Sequence, residues 1–443
     1  MIVMKFGGTS VADANALRSV LSIVRDAGER SVVVLSATSG TTDRLLALAR
    51  SAGIGDALAV TTSVDAIRER HHAICTALIA DPAHRTAAIQ RVDALVDSLQ
   101  RYCHGMTLLR ECTPRSLDEV ASYGERLSTT IFHDACEDAG LSAEWLDARQ
   151  VMRTDDTFQS ALVDMPRVRE LCSTHVLAPL STRDVIITQG FIGATVDMVT
   201  TTLGRGGSDT SAAILGAACG ATEIRIYTDV SGILTTDPRL VDTARPIPEL
   251  SFTEVRELAS FGAKVLHPDT IRPAIDASIP VRVLNTFRPQ DAGTTIVAHA
   301  SSDADLHAVS ILRDCLLVTL RTLDGSDARA ILTAALEGAD FQCLITGGTA
   351  EAAIVVVRCP NEQRRFDAEV ALAHCAASLN DCTLLCVTGP AASSARSTER
   401  LAAAVSSFRT LGILAGTSPS ATFMLVGSEQ AVDALRAVHQ TLV

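Results

Sequence analysis

Along residues 1–285, short runs of β-branched and apolar residues alternate with longer stretches whose apolar positions return every three or four residues. The first pattern is that of a strand buried on both faces, and the second that of an amphipathic helix. Strands are predicted at residues 2–6, 31–36, 184–188, 223–227 and 281–284. Helices follow the first strand to about Asp26 and the second from about Thr42. Residues 58–145 read as mainly helical, Ala-rich and poor in turn signals, an excursion beside the sheet. Ser251 with Glu254 fits a capping box opening a helix that ends near Phe261 and Gly262. Strands alternating with helices imply an α/β fold with a mostly parallel sheet sandwiched by helices.

The pattern changes after Asn285. Pro289 and Gly293 punctuate the next segment and residues 298–305 are small and polar, which predicts a domain boundary. Beyond it one arrangement occurs twice. The first pass has a strand at 315–320, a helix from about Ser326, strands at 341–345 and 353–357, and a helix. The second has a strand at 382–387, a polar loop at 389–396, a helix from Ser397 to about Leu411, a strand at 421–426 and a closing helix to Leu442. Two such units make a pair of ferredoxin-like βαββαβ modules. They carry no phosphate-loop signal and are not expected to do chemistry. The expected division is 1–297 for a catalytic domain, 303–380 for one module and 381–443 for the other.

The 443 residues leave room for two or three domains, each with its own core. Aromatics at 3% leave little for base stacking, and a net charge of -13 repels a phosphate backbone, so no nucleic-acid partner is expected. No apolar run approaches the roughly 20 residues that span a bilayer, and the opening MIVMKFGGTS has neither a basic nor a long apolar export region. The expectation is a cytoplasmic protein, without membrane contact, that binds small molecules. The 12 cysteines are scattered without C-x-x-C pairs, which favours reduced thiols acting as small apolar residues. Cys382 and Cys386 fall on one face of a predicted strand.

Two segments carry the chemistry. In KFGGTSVAD, residues 5–13, Lys5 stands at the carboxyl end of a strand, where open α/β sheets bind ligands, and Gly7 and Gly8 let backbone approach a phosphate. In TTLGRGGSDTSAA, residues 201–213, Gly204, Gly206 and Gly207 precede a helix that Ser208 can cap, with Asp209 in its first turn and Arg205 beside it. Backbone N–H groups and a helix N-terminus facing one spot form an anion site. Arg, Ser and Asp among three glycines suit carboxylate binding and the steering of phosphate charge. Two such cradles point to a nucleotide and its phosphoryl acceptor.

Other segments admit two readings each. YTDVSGILTTDPRL, residues 227–240, holds Thr228 and Asp229 in a loop that suits a ribose or adenine, though Ser-Gly and Asp-Pro also simply form turns. Lys264, in FGAKVLHP, either reaches a phosphate or complements a helix dipole, and His267 reads as a packing or capping residue. SATSGTTDRL, residues 36–45, places hydroxyls beside Gly40, as anion sites and ordinary loops both do. Glu125, beside Gly124 in YGERLST, either meets a cation or lies on a solvated helix face. His71 and His72 read as solvated.

Taken together, KFGGTSVAD, TTLGRGGSD, YTDVSGI, TTDPR and FGAKVLHP stand in the order found in the aspartokinases of the amino-acid kinase family, and the chain resembles them over its full length. TQGFIG, residues 188–193, is similar to the monofunctional, lysine-sensitive type, and no dehydrogenase domain of the bifunctional kind is expected. The resemblance implies phosphoryl transfer from MgATP to the side-chain carboxylate of L-aspartate, the opening step toward lysine, threonine, methionine and diaminopimelate. It implies Lys5 and Lys264 on ATP phosphates, with Asp209 orienting the lysines and the phosphoryl centre. Arg205 and Ser208 would hold the substrate carboxylates with help from Thr42, and Glu125 its ammonium group. Gly7, Gly8, Thr228, Asp229, Leu234, Arg239 and Val265 would line the nucleotide site, and no metal ligand from the protein is implied. A carboxylate is ionised at pH 7, so no general base is required.

Two departures stand out. Leu234 occupies a position where the lysine-sensitive type often has tyrosine. The tail resembles paired ACT domains, which implies a feedback amino acid, lysine or threonine, and homodimers through these modules that can pair into tetramers. Yet GADFQCLITGGTAEA, residues 338–352, lacks the usual Asn-Ile pair and polar Thr-Ser-Glu stretch. Two other readings accompany the first: a kinase of glutamate or N-acetylglutamate, and a catalytically silent ACT-type sensor. Intact Lys5, Arg205, Asp209 and Lys264 speak against the sensor.

Overall fold

The apolar run IVMKF becomes β1 (Ile2–Phe6) and SVVVL becomes β2 (Ser31–Leu35), with every residue of both buried, as strands covered on two faces require. The computed structural model describes residues 1–263, 266, 268–300, 304–322, 326–349 and 351–442. The chain divides into two units, Met1–Ile233 with Leu266–Ala298, and Leu234–Val265 with His299–Val443.

In the first unit, β3 (Ala143–Leu146), β4 (Val185–Gln189), β7 (Ile224–Thr228), β9 (Val281–Asn285) and β10 (Thr294–Val297) join the first two strands. The order is β3-β4-β2-β1-β7-β9-β10, parallel except where β10 runs against β9. A separate antiparallel ribbon pairs β5 (Ile192–Ala194) with β6 (Thr200–Thr202). The strand β8 (Glu249–Ser251) belongs to the second unit. With β1 between β2 and β7, successive connections leave to opposite sides, and the crevice that binds ligands in open α/β sheets opens above its carboxyl end.

Helices α1 (Ala14–Asp26), α2 (Thr41–Gly53), α3 (Ala57–Leu78), α4 (Pro82–Leu109) and α5 (Pro114–Asp138) supply one face of the core. Phe6, Leu17, Leu45, Leu99, Leu127 and Phe132 pack there together. The helices begin where short polar side chains accept the first free N–H groups: Asp13, Asp56, Asp81 and Thr113 cap α1, α3, α4 and α5. One reading of this excursion is corrected. His71 is fully buried, its Nδ1 2.7 Å from the Ile67 carbonyl, and burial pulls the imidazole down to about 4. Helical spacing with Val64, Ile67 and Ile74 turns it inward. His72 faces Asp93 at 2.9 Å.

Helices α6 (Met165–Cys172), α7 (Gly207–Cys219) and α9 (Arg272–Asp276) complete the first unit. In the second, α8 (Phe252–Ser260) opens on the predicted capping box: Ser251 Oγ accepts from the Glu254 N–H while Glu254 accepts from the Ser251 N–H. It ends at Phe261 and at Gly262, whose φ of 103° is open to glycine.

The repeated tail forms β11 (Ala308–Arg321), α10 (Ala328–Gly338), β12 (Cys343–Gly348), β13 (Ala352–Arg358) and α11 (Glu362–Ala371). Then come β14 (Ser378–Thr388), α12 (Ala395–Ala404), β15 (Thr410–Ser418), β16 (Ala421–Val426) and α13 (Ala431–His439). The six strands make one sheet in the order β12-β13-β11-β14-β16-β15. Here β14 takes the place of a fourth ferredoxin strand for the first repeat, and β11 does so for the second, through an antiparallel pairing along most of their length. The helix predicted to Leu411 stops at Ala404, and residues 410–418 form a strand against β16. Glycines at 412 and 416 hid that strand from the sequence pattern, and cross-strand pairing overrides their weak propensity. Cys382 and Cys386 do share one face and one apolar cluster, and burial pushes the Cys382 thiol up to about 12. No helix among the described residues is long and apolar enough to cross a membrane.

Candidate active site

The central feature of the first unit is a salt bridge at the carboxyl end of β1. Lys5 Nζ lies 2.7 Å from Asp209 Oδ1, in the first turn of α7, and both side chains are mostly buried. Backbone pairing continues past the strand ends, with the Gly7 N–H donating to the Tyr227 carbonyl and the Ser36 N–H to that of Phe6. The loops after β1, β2 and β7 are thereby fixed next to one another. Phe6 and Tyr227 stack beneath them, centroids 4.6 Å apart.

Gly7 and Gly8 have ordinary dihedral angles, and what a side chain would meet there is close neighbours, tighter at Gly8 than at Gly7. A Cβ on Gly8 would lie 3.3 Å from the Ala37 carbonyl, and one on Gly7 3.4 Å from Lys5 Nζ. They lead into a short 3-10 turn, Thr9–Val11, and α1 begins later behind Asp13, so this cradle is a turn rather than the α-helix start the pattern predicted.

The second cradle is a helix N-terminus. Gly204 and Gly206 have φ of 75° and 72°, a region that side chains resist, and the Asp209 and Thr210 N–H groups close on the Gly206 carbonyl. Ser208 does not cap α7 as predicted. It stands inside the first turn behind Gly206, which makes no side-chain cap, and packs so near Gly190 that a Cβ there would lie 2.7 Å from its own. Its hydroxyl is therefore not consumed by capping. Arg205 is exposed and has no hydrogen bond or ion pair among the described residues.

Glu125 is where the two sequence readings separate. It lies on the buried face of α5, only 3% exposed, so the solvated reading falls. Its Oε1 accepts from the Ala37 N–H at 3.0 Å, while Oε2 is buried with no hydrogen-bond partner among the described residues. Burial pushes the carboxyl up to about 8. A cation brought beside Oε2 would favour the ionised form. Gly124 makes the approach possible, because a Cβ there would stand 2.7 Å from Ala37 Cβ. Thr42 is half-buried in the first turn of α2, behind Gly40 at φ 74°.

Thr228 and Asp229 lie together after β7, Thr228 Oγ1 donating to Asp229 Oδ1 at 3.1 Å and Asn285 Nδ2 to the Asp229 carbonyl. Leu234 and Arg239 belong to the second unit, where Arg239 forks onto Asp237 with its Nη2 2.6 Å from Oδ2. Lys264, Val265 and His267 lie outside the described residues.

Sequence reasoning missed two groups that hold these loops. Arg70 Nη2 donates to the Ala12 carbonyl at 3.1 Å and the Ser39 carbonyl at 2.9 Å, tying the loop after β1 to the loop after β2. Gln189, fully buried at the end of β4, accepts from the Ala148 N–H and donates to Thr129 Oγ1 on α5. Arg70 lies in a charged helical stretch and gave no signal, whereas Gln189 follows a β-branched run in TQGFIG, where a polar residue at a strand's carboxyl end was legible.

Residues 1–285 match the model of the amino acid kinase family. The chain is 38% identical over 337 residues to lysine-sensitive aspartokinase 3 of Escherichia coli, covering 75% of this chain and 72% of that protein. Against the aspartokinase of Chlamydia muridarum it is 37% identical over 297 residues, 67% of this chain and 63% of that protein. The crystal structure of E. coli aspartokinase III in complex with aspartate and ADP superposes with a TM-score of 0.79 at 31% identity, covering 100% of this chain and 99% of that one. With those motifs in order and this fold beneath them, the chain belongs to the amino acid kinase family and, within it, to the aspartokinases.

Proposed function

We propose that this chain transfers the γ-phosphoryl group of ATP to the side-chain carboxylate of L-aspartate, giving 4-phospho-L-aspartate. The observation that carries this reading is the Lys5–Asp209 pair at the carboxyl end of β1, flanked by two glycine cradles. A lysine aimed by a carboxylate can neutralise negative charge as it grows on a transferring phosphoryl group. The acceptor carboxylate is already ionised, so no base is needed and catalysis rests on positioning and charge.

In this reading Arg205 and Ser208 hold the carboxylates of the amino-acid substrate, with Thr42 assisting. Glu125 accepts from its ammonium group through Oε2, which has no hydrogen-bond partner among the described residues. Gly7, Gly8, Thr228, Asp229, Leu234 and Arg239 belong to the nucleotide side, and Lys264 and Val265 join them from FGAKVLHP. Mg²⁺ would enter with the nucleotide, held by its phosphate oxygens, and would offset their charge. The catalytic domain comprises 1–297 and two ACT modules span 303–380 and 381–443. The modules form a homodimer and bind a feedback amino acid, lysine or threonine, and the enzyme works in the cytoplasm at the head of lysine, threonine and methionine synthesis.

The test is turnover of MgATP with L-aspartate, the acyl phosphate being trapped as a hydroxamate, against L-glutamate and N-acetylglutamate as competing acceptors. Hydroxamate from aspartate alone is the expected result; preference for another acid, or none, would overturn the reading. Adding lysine, threonine and both to the same assay identifies the effector.

A further inference from the structure

Two buried carboxylates project from α5 at a spacing of seven residues, two helical turns, which puts them on one face. Glu125 holds the loop after β2 through the Ala37 N–H. Asp118, 1% exposed, holds the other cradle. Its Oδ2 accepts from the Gln159 N–H and the Thr202 N–H, each at 2.9 Å, and its Oδ1 accepts from Thr202 Oγ1 at 2.8 Å. Burial raises its carboxyl above the ordinary range, and these three hydrogen bonds work the other way.

The bonds fall just before the glycine-rich turn. Thr202 ends β6, two residues ahead of Gly204 and three ahead of Arg205. Gln159, itself at φ 71°, presents its carbonyl to Gly204 so closely that a Cβ there would lie 2.8 Å from it. The Ala161 N–H donates to the Thr202 carbonyl, and the Leu203 N–H to that of Phe191. On the far side the turn is closed by the Gly207 N–H on the Gly204 carbonyl. Arg205 has no tether of its own among the described residues, so its aim depends on these anchors, and Asp118 is the only carboxylate among those just named.

We propose that Asp118 is a positioning residue for phosphoryl transfer: it sets the turn carrying Arg205 and Ser208 in register with the Glu125 loop, so that α5 spaces the two halves of the amino-acid site. The inference rests on the aspartate kinase reading. Asp118→Ala should raise KM for L-aspartate on the order of tenfold, the scale on which a displaced positioning group acts, and leave KM for ATP within about twofold. Asp118→Asn should restore it, because the amide oxygen can accept both N–H groups and the NH₂ can donate to the Thr202 hydroxyl, which turns to accept.

Amide hydrogen exchange of the full chain gives a readout independent of turnover. Asp118→Ala should speed exchange across 199–210 and leave β1 and β2 as they were. An unchanged KM for aspartate in Asp118→Ala, equal rises for both substrates, or an asparagine variant as impaired as the alanine one would overturn the proposal. Should Asp118→Ala fail to fold, Thr202→Val and Thr202→Ser decide: valine should raise KM for aspartate and serine should restore it, and a silent valine variant overturns the idea. Wild-type protein that does not turn over aspartate would sink the kinase reading, while the exchange data would still judge the role of Asp118.

Discussion

Lys5 reaches from the centre of the parallel sheet to Asp209 in the first turn of α7, with 2.7 Å between Nζ and Oδ1. The contact joins the two glycine cradles through one charge pair. Asp209 gains from the helix dipole while it restrains the lysine. Replacing Lys5 with alanine should lower kcat about 10²–10³-fold, equivalent to about 2.7–4 kcal/mol of lost transition-state stabilisation, with a much smaller change in KM. Steady-state kinetics with both substrates varied will check this, and equal effects on kcat and KM would contradict it.

Glu125 makes ligand binding depend on pH. In the ligand-free protein burial holds its carboxyl at about 8, so it is largely protonated at neutral pH, and pairing with an ammonium group would expel that proton. Aspartate binding should release protons near pH 7 and tighten as pH rises toward 8. Calorimetry in buffers of different ionisation enthalpy will measure the release, and Glu125→Gln should abolish it.

The same group sets a sign for stability. Its folded value lies above the ordinary carboxyl value of about 4.5, so its contribution is fully present below about pH 4.5 and is lost as pH rises through about 8. The ligand-free protein should therefore lose melting temperature across that window relative to Glu125→Gln, which keeps the bond from the Ala37 N–H. Parallel melting curves for the two proteins would refute this.

In the second unit, His307 Nδ1 stands 2.6 Å from Glu254 Oε1, both buried. Burial works to raise the Glu254 carboxyl, but hydrogen bonds from His307 and Ser251 outweigh it and hold it below its ordinary value. Such a group contributes stability above the unfolded value, near 4.5, and loses it as pH falls through the lower folded value. Glu254→Gln should therefore flatten the acid limb of the stability curve. Acid titration followed by circular dichroism will show whether it does.

Gly124→Ala should destabilise the first unit by about 1–3 kcal/mol, since its methyl would stand 2.7 Å from Ala37 Cβ and 3.3 Å from Leu45 Cδ1. The loop that must move carries the N–H held by Glu125. A raised KM for aspartate should accompany the loss of melting temperature, and one without the other would separate packing from function.

Much of the sheet was legible because strands such as IVMKF and VIITQ are buried on both faces and are built from β-branched and apolar residues. Both cradles were legible because glycine most readily takes the φ of Gly204 and Gly206 and leaves room for the close approach at Gly8. Side-chain burial on α5 was not. SYGERLST reads as polar, and only the packed structure reveals that Glu125, Ser128 and Thr129 face inward. Asp118 went unnoticed for the same reason, although its seven-residue offset from Glu125 was available. Ser208 misled because a serine after glycines suits a cap, and only the register of Gly206 and Gly207 moves it two residues inward, into the first turn.

The pairing of β11 with β14 at the centre of the six-stranded sheet gives each repeat its fourth strand from the other, so neither repeat of the tail is a complete fold. A chain cut in the stretch before β14 would leave β11 and β14 each with a bare hydrogen-bonding edge, the kind that seeks another strand. Two such fragments, made separately, should each be insoluble or self-associating and should recover a folded state on mixing. Either repeat alone would have to recruit the missing strand from a neighbouring molecule.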